Sequence, residues 1–576
     1  MSEKLKRRLT PMDAAFLYIE RPEQPMHVGA VCEFEGKIPF VKFMRNLESR
    51  LHLIPRYRQR VVFAPMNLGH PTWEDDADFD IRHHVKRHTV RAPGGELELR
   101  KMGEALLTDV LDREKPLWEV HIIEGLAGNK TGIVFKVHHC MVDGVSGIGL
   151  AYVLFDMVPD VPKMAKPRFK PAPMPESGKL LQDALRDTAV EGLEHWTRFQ
   201  RKLIDFGRDI DTSQIRHALK KFGATMGNFL LPFASMPFNV PLSGKRRMHW
   251  SAFNFADARA IRAVCGGTVN DVALAVIGGA VRKYLQEGGD SQKLPRHLRV
   301  LVPVNVREEH ERGQLGNRIS FLPVEVPLHL EDPVERLQSV HLYTREMKEA
   351  KVASSISLMF DVIMGSPAPI YAAGLGTVSR PRIQSLIGLV SAIPPANMIV
   401  TNVPGPQIPL YTVGHRMLAF YPTLPVALEM GVNFSITSYD QRLYITLSGD
   451  GQASDAIDQI GVNIERSFHE LREAAAVKEA QYVKIVREAE AAAPAPSARP
   501  EPAAPAASVA KPRDTPRVKA PAPSKKKAAK TKVKTEAPAP SLNGNGIAHG
   551  PVRRKLVVKR KTHAGATPAK KPADKN

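Results

Sequence analysis

The stretch from Gly132 to Gly149 reads G-I-V-F-K-V-H-H-C-M-V-D-G-V-S-G-I-G, and its reading decides the architecture. Ile133 to Val137 is rich in β-branched and aromatic residues, the composition of a strand. His138 and His139 follow at its end, and then comes a turn containing Asp143 and Gly144. From Val145 to Met157 the apolar pattern becomes helical. A histidine where a strand gives way to a glycine-bearing turn is well placed for proton transfer, because the strand fixes it and the turn leaves it open. Neighbouring strand side chains point to opposite faces. The two histidines are therefore expected to divide the work, one meeting substrate and the other packing into the scaffold.

Working outward, Leu9 to Gly36 contains a short helix opened by Pro11 and Asp13, and then a strand from His27 to Phe34. His27 receives no role. Pro39 to Leu53 and Leu97 to Leu111 have helical apolar spacing. Pro116-Leu117-Trp118 leads a strand through Ile123, which Gly125 is expected to end. Beyond Met157 the chain turns rich in Pro and Lys, a linker composition, before an amphipathic helix from Leu180 to Phe206. Phe222 to Leu242 is apolar and broken by prolines; it suits either a lipid entrance or a buried connection.

A second domain is expected to begin near Arg246. It holds a strand to Phe255, a short helix, and a longer helix running from Gly267 to Tyr284. Asn270 and Asp271 near the start of that helix suit capping and the helix dipole. A strand from Leu298 to Arg307, a Pro/Gly-defined loop at Thr401–Pro406 and a strand pair about Asp440-Gln441 follow. A closing helix spans Ala453 to Glu490.

The formal net charge is +21 over 576 residues, but it is unevenly placed. Ala491 to Asn576 holds 20 Lys and Arg against 4 Asp and Glu, a net of +16, which leaves +5 for everything before it. That tail has 14 prolines and no aromatic residue, so it cannot bury a core and reads as disordered. The near-balanced body gives no sign of a general nucleic-acid binder. Cys32, Cys140 and Cys265 are too few and too scattered for a disulfide framework or a zinc site. Cys140 reads as a small packed residue rather than half of a Cys/His nucleophilic pair. Asp13 and Glu20 interrupt any signal-peptide core, and the longest apolar runs fall well short of the roughly 20 residues of a spanning helix.

The spacing His138-His139-x-x-x-Asp143-Gly144 resembles the active-site motif of the CoA-dependent acyltransferase superfamily. With average residue usage a chance match in such a chain has a probability on the order of one in a thousand. The segments L-T-P-M-D-A-A-F-L-Y-I-E, P-L-W, the Asn270-Asp271 pair, P-V-N-V-R, G-N-R-I-S and N-V-P-G-P stand in the order found in one branch of it. That branch is the bacterial wax ester synthase/diacylglycerol acyltransferase (WS/DGAT) family, and the resemblance covers roughly residues 9 to 475.

It implies an α/β fold of two chloramphenicol-acetyltransferase-like domains, each a mixed sheet flanked by helices. The divisions are residues 1–157, a crossover at 158–245, residues 246–490, and the disordered tail at 491–576. His139 would be the general base, His138 a support, and Asp143 with Gly144 the orienting turn. Trp118, Asn270, Asp271 and Arg307 are candidates for contact with substrate, though core packing is the favoured reading of Trp118; Arg307 could equally pair with Asp143. The implied substrates are acyl-CoA and either diacylglycerol or a long-chain alcohol, with no metal and no resident cofactor. The protein is expected in the cytoplasm, peripheral to the inner membrane or lipid bodies, with the basic tail as one means of attachment at about 1 kcal/mol per basic residue near an anionic surface. A superfamily acyltransferase with another donor or acceptor, and a non-catalytic lipid-body or nucleoid-surface scaffold, are the alternatives.

Overall fold

The strand before the histidines, β-branched and apolar, lies in the middle of a sheet and is buried from Thr131 onward. A computed structural model describes residues 7–142, 154–160, 164, 167–188, 190, 197, 234–288, 294–305, 319–350, 352, 356, 366–378 and 396–492. Its first half contains α1 (Pro11–Ile19), β1 (His27–Glu35), α2 (Phe40–Arg50), β2 (Gln59–Val62), β3 (Thr72–Asp75), β4 (Val85–Thr89), α3 (Glu96–Leu106), β5 (Trp118–Leu126) and β6 (Lys130–His138). The second half opens with β7 (Arg246–Asn254), α4 (Phe255–Cys265), α5 (Val269–Glu287), β8 (His297–Asn305), β9 (Ile319–Pro327), α6 (Pro333–Glu349) and α7 (Ala368–Val378). It continues through β10 (Met398–Pro404), β11 (Tyr411–Thr412), β12 (His415–Thr423), β13 (Val432–Tyr439), β14 (Arg442–Asp450) and α8 (Ser454–Ala492).

Two six-stranded sheets result, ordered β11-β12-β1-β6-β5-β4 and β7-β14-β13-β10-β8-β9. Both are mixed: β4 runs parallel to β5 in the first, and β10 runs parallel to β8 and β13 in the second. The halves are interlocked, because β11 and β12 come from the second half of the chain yet hydrogen-bond into the first sheet beside β1. Trp250 of β7 stacks on Tyr421 of β12 at 4.4 Å between ring centroids, with Tyr444 edge-on, so aromatic packing closes the seam.

Inside the second half, α5 is apolar on nearly all sides, as a central helix must be. Its neighbours come close enough that a Cβ at Gly279 would meet Ser467 Oγ at 2.2 Å. Two expectations need correction. Thr401–Pro404 is not loop but the end of β10; Val403, pushed to extended backbone by the following proline, suits a strand end. Gly125 does not end its strand either, since β5 runs to Leu126, and the glycine's φ of +86° makes an irregularity in the register with β6. Among the described residues, no single helix is long and apolar enough to cross a membrane. Asp143, Gly144, Arg307 and the tail from residue 493 lie outside the described residues.

Candidate active site

β6 ends on His138, and His139 opens a 3-10 turn, His139–Met141. The two rings therefore part company because the strand stops between them. His138 is fully buried. Its Nδ1 accepts the main-chain N–H of Cys140 at 3.2 Å, which caps the turn and puts the ring proton on Nε2. That nitrogen lies 3.3 Å from Glu20 Oε1, a close electrostatic approach short of a well-aligned hydrogen bond.

Glu20 is the C-cap of α1, where the helix dipole disfavours a carboxylate, and burial disfavours it further. Four contacts answer both penalties. Burial alone would raise its pKa, but His138, the Met26 N–H at 3.0 Å and the Arg113 guanidinium outweigh it and hold the carboxyl down at about 2. Arg113 grips Glu20 Oε2 through two nitrogens, at 2.9 and 3.2 Å, and also donates to Leu17 O.

His139 is only partly buried. Its main-chain N–H donates to Met26 O at 2.8 Å, so the same residue that binds Glu20 also anchors the turn. Phe16 of α1 stacks on the imidazole, ring centroids 3.9 Å apart and planes 13° from parallel. Beneath them Cys140 joins a small apolar cluster with Leu9, Ala14, Leu17, Val61, Trp73, Leu111 and Leu117. Burial pushes the Cys140 thiol well up, so it remains a protonated packing residue. The loop between α1 and β1 is where the second half reaches this site: Arg246 donates to Pro25 O, and the Leu428 N–H donates to Gln24 Oε1.

In the sheet Trp118 pairs with Val137, the residue before His138. Trp118 is buried in the first core; its Nε1 donates to Tyr57 O at 2.8 Å and its ring stacks on His84. The indole N–H is engaged and the ring has aromatic neighbours, the surroundings of a core packing residue. Asp271 is wholly buried in a capping box with Thr268 and also accepts from the Thr344 hydroxyl at 3.0 Å, with His341 Nδ1 at 3.1 Å. Asn270 is half-buried, and its Oδ1 accepts from Asn402 Nδ2 of β10 at 3.4 Å. Phe16, Glu20 and Arg113 were not foreseen. A lone acid at a helix C-terminus, with no basic residue in the preceding turn, was the available signal for Glu20.

The sequence model for the wax ester synthase/diacylglycerol acyltransferase catalytic domain matches residues 9–273, and the WS/DGAT C-terminal domain matches residues 315–472. A Mycobacterium tuberculosis protein named as a diacylglycerol O-acyltransferase is 32% identical over 445 residues, covering 76% of this chain and 84% of that one. The chain belongs to the WS/DGAT family.

A second M. tuberculosis protein with that activity in its name is 30% identical over 460 residues, covering 79% of this chain and 94% of the relative. Among solved structures, the wax ester synthase/diacylglycerol acyltransferase from Marinobacter aquaeolei VT8 has a TM-score of 0.54 at 24% identity, covering 81% of this chain and all of that one. The first condensation domain of the calcium-dependent antibiotic synthetase has a TM-score of 0.52 at 14% identity, over 82% of this chain and 96% of that domain. These likenesses show the chloramphenicol-acetyltransferase-like fold, with its mixed sheets and flanking helices. The protein is thus a WS/DGAT acyltransferase, an enzyme of the kind that makes triacylglycerols and wax esters.

Proposed function

We propose that the enzyme moves a long-chain acyl group from acyl-CoA to diacylglycerol, a long-chain alcohol, or both, with His139 as general base. An alcohol holds its proton far too tightly at neutral pH to attack a thioester unaided. His139 takes that proton as the oxygen attacks the carbonyl carbon, and the C–S bond then breaks. The imidazolium returns the proton to the departing CoA sulfur, so the base is regenerated and ester and free CoA leave. No metal or resident cofactor is needed for these steps.

One observation carries the choice of base. Of the two adjacent histidines, His138 is buried and committed to Cys140 N–H and Glu20, whereas His139 is partly exposed on a turn anchored by Met26 O. Glu20 and Arg113 then act through His138, keeping the turn in place rather than meeting substrate. The apolar acceptors favour work at a membrane or lipid-droplet surface, with the basic tail supplying part of the attraction.

The test is a product assay with labelled palmitoyl-CoA and either hexadecanol or diacylglycerol, run beside His139→Ala. Ester is expected with at least one acceptor, and the variant should lose activity by about 10²–10⁴-fold while remaining folded. A fully active variant would refute the base. An inactive but folded wild type would point to another donor or acceptor.

A further inference from the structure

A second site opens on the far side of α3 from the histidines. The inner face of this helix packs on the first sheet: Leu99 lies against Gly132, and Gly103 against Val31. Its outer face, with β7 and α8, encloses a cleft of about 310 Å³ lined by Leu97, Arg100, Lys101, Glu104, Arg247, His249, Asp458 and Val462. Both halves of the chain contribute walls. None of the residues around His139 is among them.

Three cations, Arg100, Lys101 and Arg247, face two carboxylates, Glu104 and Asp458, an excess of one positive charge. Arg247 is neutralised twice over, by Glu104 at 3.2 Å and by Asp458 at 3.2 Å. Arg100 instead spends its Nη1 on the lone pair of His249 Nδ1, 3.3 Å away. Among the described residues, neither Arg100 nor Lys101 has a carboxylate within ion-pair distance. Two cations from adjacent positions of one helix, a half-buried Arg100 and an exposed Lys101, therefore line the cleft without a carboxylate at ion-pair distance, although Arg100 still acts on Glu104 from further off. His249, accepting at Nδ1, carries its proton on Nε2 and is a further donor. Burial first, and then the neighbouring Arg100, lower its pKa, which agrees with a neutral acceptor ring. At the mouth stand Leu97 and Val462, 45% and 47% exposed. A guanidinium, an ammonium and an imidazole lining one cleft suit the oxygens of a phosphate, and the apolar lips suit a chain attached to it.

We propose that this cleft binds a phosphate monoester carried on an apolar chain, at a site separate from acyl transfer. Occupancy would tie α3 to β7 and α8. The C-terminal end of α3 leads directly under the strands of the active site: Leu107 O accepts from His27 Nε2 at 2.7 Å, and Leu106 O accepts from Lys136 Nζ at 3.1 Å. His27 pairs across β1 and β6 with His138. A ligand in the cleft thus bears on the elements that hold the catalytic turn.

The experiment is thermal unfolding of the full chain with dihexanoyl phosphatidate below its micelle concentration and, separately, with inorganic phosphate. The basic tail does not confuse this readout, since a segment unable to bury a core binds anions alike in the folded and unfolded protein, and only preferential binding to the folded state moves Tm. Phosphatidate at a hundredfold excess over its Kd is expected to raise Tm by roughly 2 °C or more. R100Q/K101Q should abolish the rise, R100K/K101R should keep most of it, and L97S/V462S should lose only the part by which phosphatidate exceeds phosphate. Equal rises with phosphate and phosphatidate, both lost in R100Q/K101Q, would uphold the phosphate site and assign its occupant to free phosphate. No rise with either probe, or a rise that survives R100Q/K101Q, would overturn the proposal. Circular dichroism of each variant without ligand separates a lost site from a lost fold.

Discussion

Two buried carboxylates, one in each half of the chain, sit at opposite ends of helices. Asp271 occupies the third position of α5, where the helix dipole welcomes a negative charge; its capping partner Thr268 stands on the turn before it, and Thr344 with His341 join from the neighbouring α6, 73 and 70 positions on. Glu20 occupies the C-cap of α1, where the dipole opposes it, and its charged or ring partners are 93 and 118 positions away, at Arg113 and His138. The first arrangement completes a scaffold that a helix start almost specifies by itself. The second exists only because the tertiary fold brings an arginine and a histidine to an otherwise ill-placed acid. A charge held against local preference, by distant groups, is the pattern expected where a molecule concentrates its chemistry, and it fits the site proposed about His139.

The sharpest way to break this contrast is Glu20→Gln. The amide still accepts the Met26 N–H, but it leaves Arg113 and the His138 N–H facing a neutral group. The folded-state pKa of about 2 lies below the ordinary carboxylate value of 4.5. The stabilisation is therefore full above pH ~4.5 and is lost as pH falls towards 2, on the order of 3 kcal/mol in all. Urea unfolding at pH 7 should show Glu20→Gln less stable by that order, and the gap from wild type should narrow at pH 3. Equal stability at pH 7, with parallel pH curves, would show that Glu20 clamps nothing.

Asp271→Ala examines the other side of the comparison. It removes the capping box at the start of α5 and leaves the Thr344 hydroxyl with His341 O alone, at a cost of about 1–2 kcal/mol. Thermal unfolding should register that loss, and activity per folded molecule should follow stability alone. A stably folded but inactive Asp271→Ala protein would instead return this residue to the substrate-binding role that its place in the family pattern suggested.

The same distinction explains what could be seen in the sequence. The α/β alternation, the strand into His138, the capped start of α5 and the β13–β14 hairpin at Asp440-Gln441 all rest on contacts local in the chain, and periodicity and turn chemistry carry such information. That β11 and β12 join the first sheet was invisible, because the choice of strand partner depends on packing hundreds of residues away. N-V-P-G-P shows the reverse error: its proline and glycine advertise a turn, yet parallel pairing with β13 holds Val400 to Pro404 in a strand. His138 and His139 were legible as a pair with unequal surroundings, one buried and one partly exposed. Their support was not, since Glu20, Arg113 and Phe16 reach them from elements that no local pattern connects.

The smallest expected effect belongs to Phe16, and it separates two roles for α1. The ring lies flat on His139, and such a stack is worth about 0.5–1.5 kcal/mol. Phe16→Leu keeps an apolar side chain of similar reach while removing the flat surface, so Tm should move little. If the stack fixes the orientation of the base, kcat should fall by roughly 2- to 10-fold with KM nearly constant, because the lost interaction matters only when the proton moves. If Phe16 is instead a wall for the acyl or acceptor chain, KM should rise and kcat should hold. A variant unchanged in both would leave the anchoring of His139 to Met26 O and the turn alone, and α1 would then serve the site only through Glu20, at its far end.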